Sequence, residues 1–204
     1  MSTAALPRPA SAPPLTPDDL LRMGDAGKGY ELIDGRLEEK EMSARSSRIG
    51  VRVVYKLETH CETVSPIWVF GPDGGFQCFA AHPGRVRKPD AAVIAFDRMT
   101  REQYEEDGFI EIVPDLVVEV VSPNDLAREV NQKRGEWLAA GVSEVWEVYP
   151  DTSTVDIYRA GGSTTLHDGD ELASPTLLPG FTVPVADLFR VPGPPPQAPA
   201  AGGE

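Results

Sequence analysis

The apolar positions of this chain change period along its length, and each change marks an element. The densest run is Pro114-Asp115-Leu116-Val117-Val118-Glu119-Val120-Val121-Ser122-Pro123, in which five Val or Leu residues surround one carboxylate. Such a run predicts a buried strand. Positions two apart in a strand share a face, so Asp115, Val117, Glu119 and Val121 point the same way. An ionised carboxylate at Glu119 is costly there unless a cation or a metal pairs with it. Lys88-Pro89-Asp90-Ala91-Ala92-Val93-Ile94-Ala95-Phe96 repeats the design, with an acid at the head of an apolar run. From Asn124 to Ala140 the period becomes helical: Leu126, Val130, Lys133 and Trp137 fall at i, i+4, i+7 and i+11. That spacing turns Lys133 toward the sheet rather than toward water.

The flanking chain reads as a mixture of helices and strands. Thr16-Pro17-Asp18-Asp19 opens a short helix, with a Thr cap, Pro in the first turn and acids behind it. Tyr30 to Ile33 and Arg36 to Met42 read as strands joined by a tight Asp34-Gly35 turn. Ala44 to Glu62 is helical, with Ile49, Val53, Val54, Leu57 and Cys61 on its apolar side. Ile67 to Phe70 and Phe76 to Ala80 read as strands around a Gly-rich turn, and Asp97 to Asp107 as a polar helix or loop. Gly141 suits a helix C-terminus, and Val145 to Tyr149 and Thr154 to Arg159 are two more strands. Shorter strand-like pieces follow through Phe181 to Val185, with a closing turn at Asp187 to Arg190. The expected fold class is α/β (α+β), a mixed central sheet flanked by helices. Residues 1–15 and 191–204 are rich in Ala and Pro and lack apolar periodicity, so disordered tails are expected around one domain spanning 16–190.

Composition narrows the function. A hydrophobic content of 41% and a charged content of 25% suit a globular domain, and no apolar run approaches the ~20 residues a membrane span needs. The N-terminus carries no basic start followed by an apolar stretch, so no secretory signal is expected. The two cysteines, Cys61 and Cys78, have no metal-type spacing and suit a reducing cytoplasm, and the three histidines form no cluster for zinc. The net charge of −13 opposes non-specific nucleic-acid binding unless basic residues gather in one place. Arg45, Arg48, Arg52 and Lys56 do gather, in one stripe on the second helix. Four cations in a line form either a solvated helix face or a surface that tracks a phosphate backbone. Arg85, Arg87 and Lys88 make a second basic cluster leading into the Asp90 strand.

Two carboxylates at neighbouring strand ends can hold Mg²⁺ or Mn²⁺, a hard cation that takes oxygen ligands and retains waters. On this reading Asp90 and Glu119 are the ligands, helped by the carbonyl of Val120, and Lys133 orients or deprotonates a water or stabilises phosphate charge. A structural ion pair gives the same pattern.

Gly29-Tyr30-Glu31-Leu32-Ile33-Asp34-Gly35-Arg36-Leu37, Arg87-Lys88-Pro89-Asp90-Ala91-Ala92-Val93, the Pro114–Pro123 run, Lys133 and Ala140-Gly141-Val142-Ser143-Glu144-Val145-Trp146 occur in that order. Over about residues 16–190 the chain resembles the Uma family, in the PD-(D/E)XK nuclease superfamily. The resemblance implies a restriction-endonuclease-like fold and a divalent-metal-dependent endonuclease acting on DNA. Asp90 matches the metal-binding Asp and Glu119 the acid of the next strand. The superfamily's lysine two positions later is Val121 here, and Lys133 on the following helix matches the migrated lysine. Glu31 matches an acid that orients a metal-bound water, or else it is a strand-edge acid facing solvent. The chain departs from the family at Ser47 and Arg48, where a histidine is usual, at Glu129 for Asp and at Trp137 for Tyr. Cutting both strands commonly calls for a symmetric pair of sites, so a homodimer is expected. The alternatives are an inactive nuclease-fold module that binds DNA or protein, and a hydrolase of a small phosphorylated molecule. No Gly-rich phosphate loop supports the last.

Overall fold

The computed structural model describes residues 13–40, 42–191 and 193. A capping box between Thr16 and Asp19 starts α1 (Pro17–Arg22). The chain then forms a hairpin of β1 (Tyr30–Ile33) and β2 (Arg36–Glu39), paired Leu32 to Leu37 and Glu31 to Glu38. Its two-residue turn needs positive φ at both positions, and Asp34 (49°) and Gly35 (76°) supply it.

The apolar runs that follow build one six-stranded sheet in the order β3 (Ile67–Phe70), β4 (Ala91–Ala95), β5 (Leu116–Val120), β6 (Glu144–Tyr149), β7 (Thr154–Arg159) and β8 (Gly162–Leu166). Strands β5 and β6 are parallel, while the other neighbours are antiparallel. A parallel pair needs a crossover, and α4 (Ala127–Ala140) provides it. Alternation gives the sheet two apolar faces. Ala91, Val93, Val118, Val120, Trp146 and Val148 pack in one core with Ile49, Val53 and Leu57 of α2 (Ala44–Thr63). On the opposite face Ala92, Ile94, Val117 and Val145 share a core with Trp137 of α4. Glu119 alternates with Val118 and Val120, so it faces α4.

Smaller elements complete the domain: α3 (Arg101–Glu105) follows β4, and β9 (Glu171–Ala173) pairs with β10 (Thr182–Pro184) before α5 (Val185–Phe189). No helix among the described residues is long and apolar enough to cross a membrane.

Several boundaries differ from expectation; the closing turn expected at Asp187 to Arg190 is instead the end of α5, which runs Val185–Phe189. Phe76 to Ala80 is not a strand: Phe76 makes isolated bridges to Arg87 and Ile110, and the chain then turns, with the His82 N–H donating to the Phe79 carbonyl. The helix expected from Asn124 starts at Ala127, because the Asp125 carboxylate accepts the Ser122 N–H and locks a turn there. Leu126 is accordingly 41% exposed and lies off the inward face. The strand expected to reach Met42 ends at Glu39, and Glu41 lies outside the described residues. Leu15, expected in the N-terminal tail, donates its N–H to the Gly35 carbonyl and packs against the cluster of Leu20, Leu32, Leu37 and Val86. Residues 1–12, 192 and 194–204 of the expected tails lie outside the described residues.

Candidate active site

Four elements bring charged groups together at one end of the β4–β5 pair. Glu119 reaches from β5 toward α4, where Lys133 Nζ donates to its Oε2 at 2.9 Å and Trp137 Nε1 donates to its Oε1 at 3.0 Å. The i, i+4 spacing of Lys133 and Trp137 lets one helix face grip both carboxylate oxygens. Lys133 Nζ also lies 3.0 Å from Glu31 Oε1, so the hairpin joins the site. The alternative of a solvent-facing Glu31 does not hold, because the residue is 5% exposed. Its Oε2 accepts from Arg87 Nη1 at 2.7 Å and its Oε1 from the Lys88 N–H at 2.8 Å. Arg87 is placed by backbone bonds to Phe76 and its neighbour Val86 by bonds to Leu32, which carries the Arg85–Lys88 segment alongside β1. Glu136 of α4 accepts from Arg87 and pairs with Arg85 at 2.9 Å.

Asp90 stands just before β4. Its Oδ2 accepts the Val120 N–H at 2.6 Å, which fixes the carboxylate against the residue next to Glu119. Gly50 of α2 passes behind it, where an added Cβ would meet the Asp90 Cβ at 3.8 Å. Oδ1 is buried without a hydrogen-bond partner, although Lys40 Nζ lies 2.8 Å away. The two observations agree once direction is considered: the ammonium is close enough for charge attraction but lies outside hydrogen-bonding angles, and it donates instead to the Lys88 carbonyl at 2.8 Å.

These neighbours set the protonation states. Burial alone would raise the Glu31 carboxyl, but Lys133, Arg87, Lys40 and the Lys88 N–H together outweigh it and hold it at about 2. Glu119 goes the other way, raised by burial and by repulsion from Asp90 and Glu31 beyond what Lys133 and Lys40 offset. Burial would lower Lys133, yet Glu119 and Glu31 raise it above the ordinary lysine value. Lys133 therefore keeps its proton at neutral pH.

Asp90, Glu119, Lys133 and Glu31 thus converge. Among the described residues no group of three or more His, Cys, Asp or Glu side chains is arranged to hold a metal ion. A site here would rest on two carboxylates with backbone and water oxygens, a set that suits Mg²⁺. The buried Oδ1 of Asp90, which accepts no directed hydrogen bond, fits such an ion, as does its fixed position one residue from Glu119.

The basic stripe lies elsewhere. Arg45 donates to the Pro150 carbonyl and pairs with Asp151, Arg52 donates to the Asp187 carbonyl, and Lys56 pairs with Asp187 at 3.4 Å. Arg48 is exposed and donates to the Arg190 carbonyl. A surface cavity of about 500 Å³ beside Phe70, Tyr104 and Phe109 contains none of the four converging residues, and its charged lining is acidic, with Asp73, Glu106, Asp107 and Glu111. It has no cation to receive phosphate.

Sequence reasoning passed over Lys40 and the ties of Arg87. The signal for Lys40 was present: a two-residue turn at Asp34-Gly35 sets Glu38 opposite Glu31, and Lys40, two residues on, falls on the same face.

A central mixed sheet bearing an acid-and-lysine site at its strand ends defines a nuclease-like fold. The profile of the Uma2 family, described as "Putative restriction endonuclease", matches residues 17–186, and the chain belongs to that family. A crystal structure described as a "putative nuclease belonging to DUF820" from Anabaena variabilis ATCC 29413 shares the fold, with a TM-score of 0.70 at 23% identity. The alignment covers 86% of this chain and 98% of that one. No curated protein matches the chain with significance.

Proposed function

We propose that the chain is a divalent-metal-dependent endonuclease hydrolysing phosphodiester bonds in DNA. The observation that carries this reading is the Lys133 ammonium bridging Glu119 and Glu31, beside an Asp90 whose buried Oδ1 has no directed partner. Asp90, Glu119 and the Val120 carbonyl would hold Mg²⁺ or Mn²⁺. Bound there, the ion would polarise a phosphoryl oxygen and lower the pKa of a coordinated water. Lys133 Nζ, whose proton Glu119 and Glu31 favour, offers positive charge to the phosphate as negative charge develops on it. Glu31, ionised and held by Arg87, orients Lys133 and accepts a hydrogen bond from water without itself taking the proton. Trp137 fixes the carboxylate plane of Glu119. Within the basic stripe, this reading gives phosphate contact to Arg45 and Arg48, while Arg52 and Lys56 hold α5. Cleavage of both strands would use two copies of the chain.

Nicking of supercoiled plasmid tests the reading. Mg²⁺ or Mn²⁺ is expected to support nicking, and Asp90→Asn or Glu119→Gln to reduce it by about 100-fold or more with the circular dichroism unchanged. Protein that binds DNA yet never cuts it, with several divalent metals tried, overturns this version. The result would favour the second reading, a non-catalytic module, to which one observation points: Lys40 and Lys133 already neutralise the acids.

A further inference from the structure

We propose that Lys40 is a built-in competitor for the metal position: its ammonium rests on Asp90 Oδ1 and must leave before a divalent ion can bind. The inference depends on the metal site proposed above. Asp90 cannot turn away from a cation, since the Val120 N–H fixes its Oδ2 at 2.6 Å. Whatever balances the carboxylate must therefore sit at Oδ1, and Lys40 Nζ is there at 2.8 Å. The contact is held by charge without a directed hydrogen bond, because the ammonium donates to the Lys88 carbonyl instead.

Charge balance points the same way. Glu31, Asp90, Glu119 and Glu136 are ion-paired with Lys40, Lys133, Arg87 and Arg85, four carboxylates against four cations, so the connected set is balanced as it stands. A divalent ion added to that set leaves two uncompensated positive charges in a low-dielectric site. Expelling one ammonium halves the excess. Lys133 is the wrong one to leave: it donates to Glu119 at 2.9 Å, lies 3.0 Å from Glu31, and is mounted on a helix. Lys40 follows the last residue of β2, and its four-carbon stem can swing the ammonium to water without moving the hairpin. Metal loading would thus be thresholded by an internal cation, and the acids would stay balanced while no metal is bound.

The test uses the full chain and Mn²⁺ alone. Calorimetric titration compares wild type with Lys40→Met and Lys40→Arg. Lysine acetylation by an N-hydroxysuccinimide ester, read by peptide mass spectrometry, follows Lys40 in wild type with and without Mn²⁺. Lys40→Met is expected to bind Mn²⁺ at least about tenfold more tightly, since no ammonium has to be displaced from Asp90, and Lys40→Arg to gain nothing. In wild type, Mn²⁺ is expected to raise Lys40 acetylation several-fold while Lys133 stays protected. The wild-type measurement decides alone if Lys40→Met does not fold. Mn²⁺ binding with Lys40 still protected overturns the inference and leaves the metal site standing. No Mn²⁺ binding by wild type or variant removes the metal site, and the inference with it.

Discussion

Glu31 and Glu119 share one lysine yet respond to pH in opposite senses, and this separates their contributions to stability. Glu31 is held at about 2, against an ordinary value of 4.5, so folding favours its ionised form. Its contribution is complete above pH 4.5 and is lost as pH falls toward 2, by up to about 3 kcal/mol. Glu119 is raised, so folding favours its neutral form and its ionisation opposes folding as pH rises. Unfolding free energies from urea titration at neutral pH are therefore expected to fall by about 2–3 kcal/mol in Glu31→Gln and by clearly less in Glu119→Gln. Between pH 4.5 and 2, wild type should lose stability more steeply than Glu31→Gln. Equal slopes would mean that Glu31 is not held by the cations around it. The inward turn of Lys133 was legible in the sequence because its spacing from Trp137 is local. The partners of Glu31 were not, since Arg87 and Lys133 come from segments far along the chain and meet it only after the sheet forms.

The hairpin is the element on which the site depends most. It brings Glu31 and Lys40 to the ends of β4 and β5, and its turn has little tolerance. Gly35 has φ +76°, and a Cβ there would lie 2.3 Å from the Pro14 Cβ. Gly29 has a similar φ of +75° with open space around it. Both Gly→Ala changes meet the left-handed backbone penalty of about 1–2 kcal/mol, but only Gly35→Ala also displaces the chain at Pro14. Thermal melts should show Gly35→Ala losing more stability than Gly29→Ala, with metal-dependent nicking reduced alongside; equal losses would make the Pro14 contact unimportant. The hairpin was readable because Asp-Gly between apolar runs is a local code. Phe76 to Ala80 misled for the converse reason. Its composition suits a strand, but a strand also needs a continuous partner, and here Phe76 bonds only to Arg87 while its neighbours Gly75 and Gln77 bond to Ile110. The stripe on α2 showed its spacing in sequence but not its use, since its partners at Asp151 and Asp187 follow more than a hundred residues later.

Across the whole molecule, a net charge of −13 must be reconciled with the polyanionic substrate we propose. Divalent ions would link the two: a cation held between Asp90 and Glu119 would add local positive charge where phosphate would approach. A ligand that binds only the folded state raises its stability by an amount set by concentration over Kd, about 2.7 kcal/mol at a hundredfold excess. For a domain of this size that corresponds to a melting shift of roughly 5–10 °C. An acidic protein also binds divalent ions loosely over its surface, so the size of the shift alone does not locate the site. Position does. The Mn²⁺ shift is expected in wild type and lost in Asp90→Asn, whose surface charge is otherwise the same. It should survive in Asp168→Asn, an exposed acid on the loop before β9. A shift that persists in Asp90→Asn would assign the ion to the surface at large, leaving the acids and lysines at the sheet end as a structural ion-pair cluster.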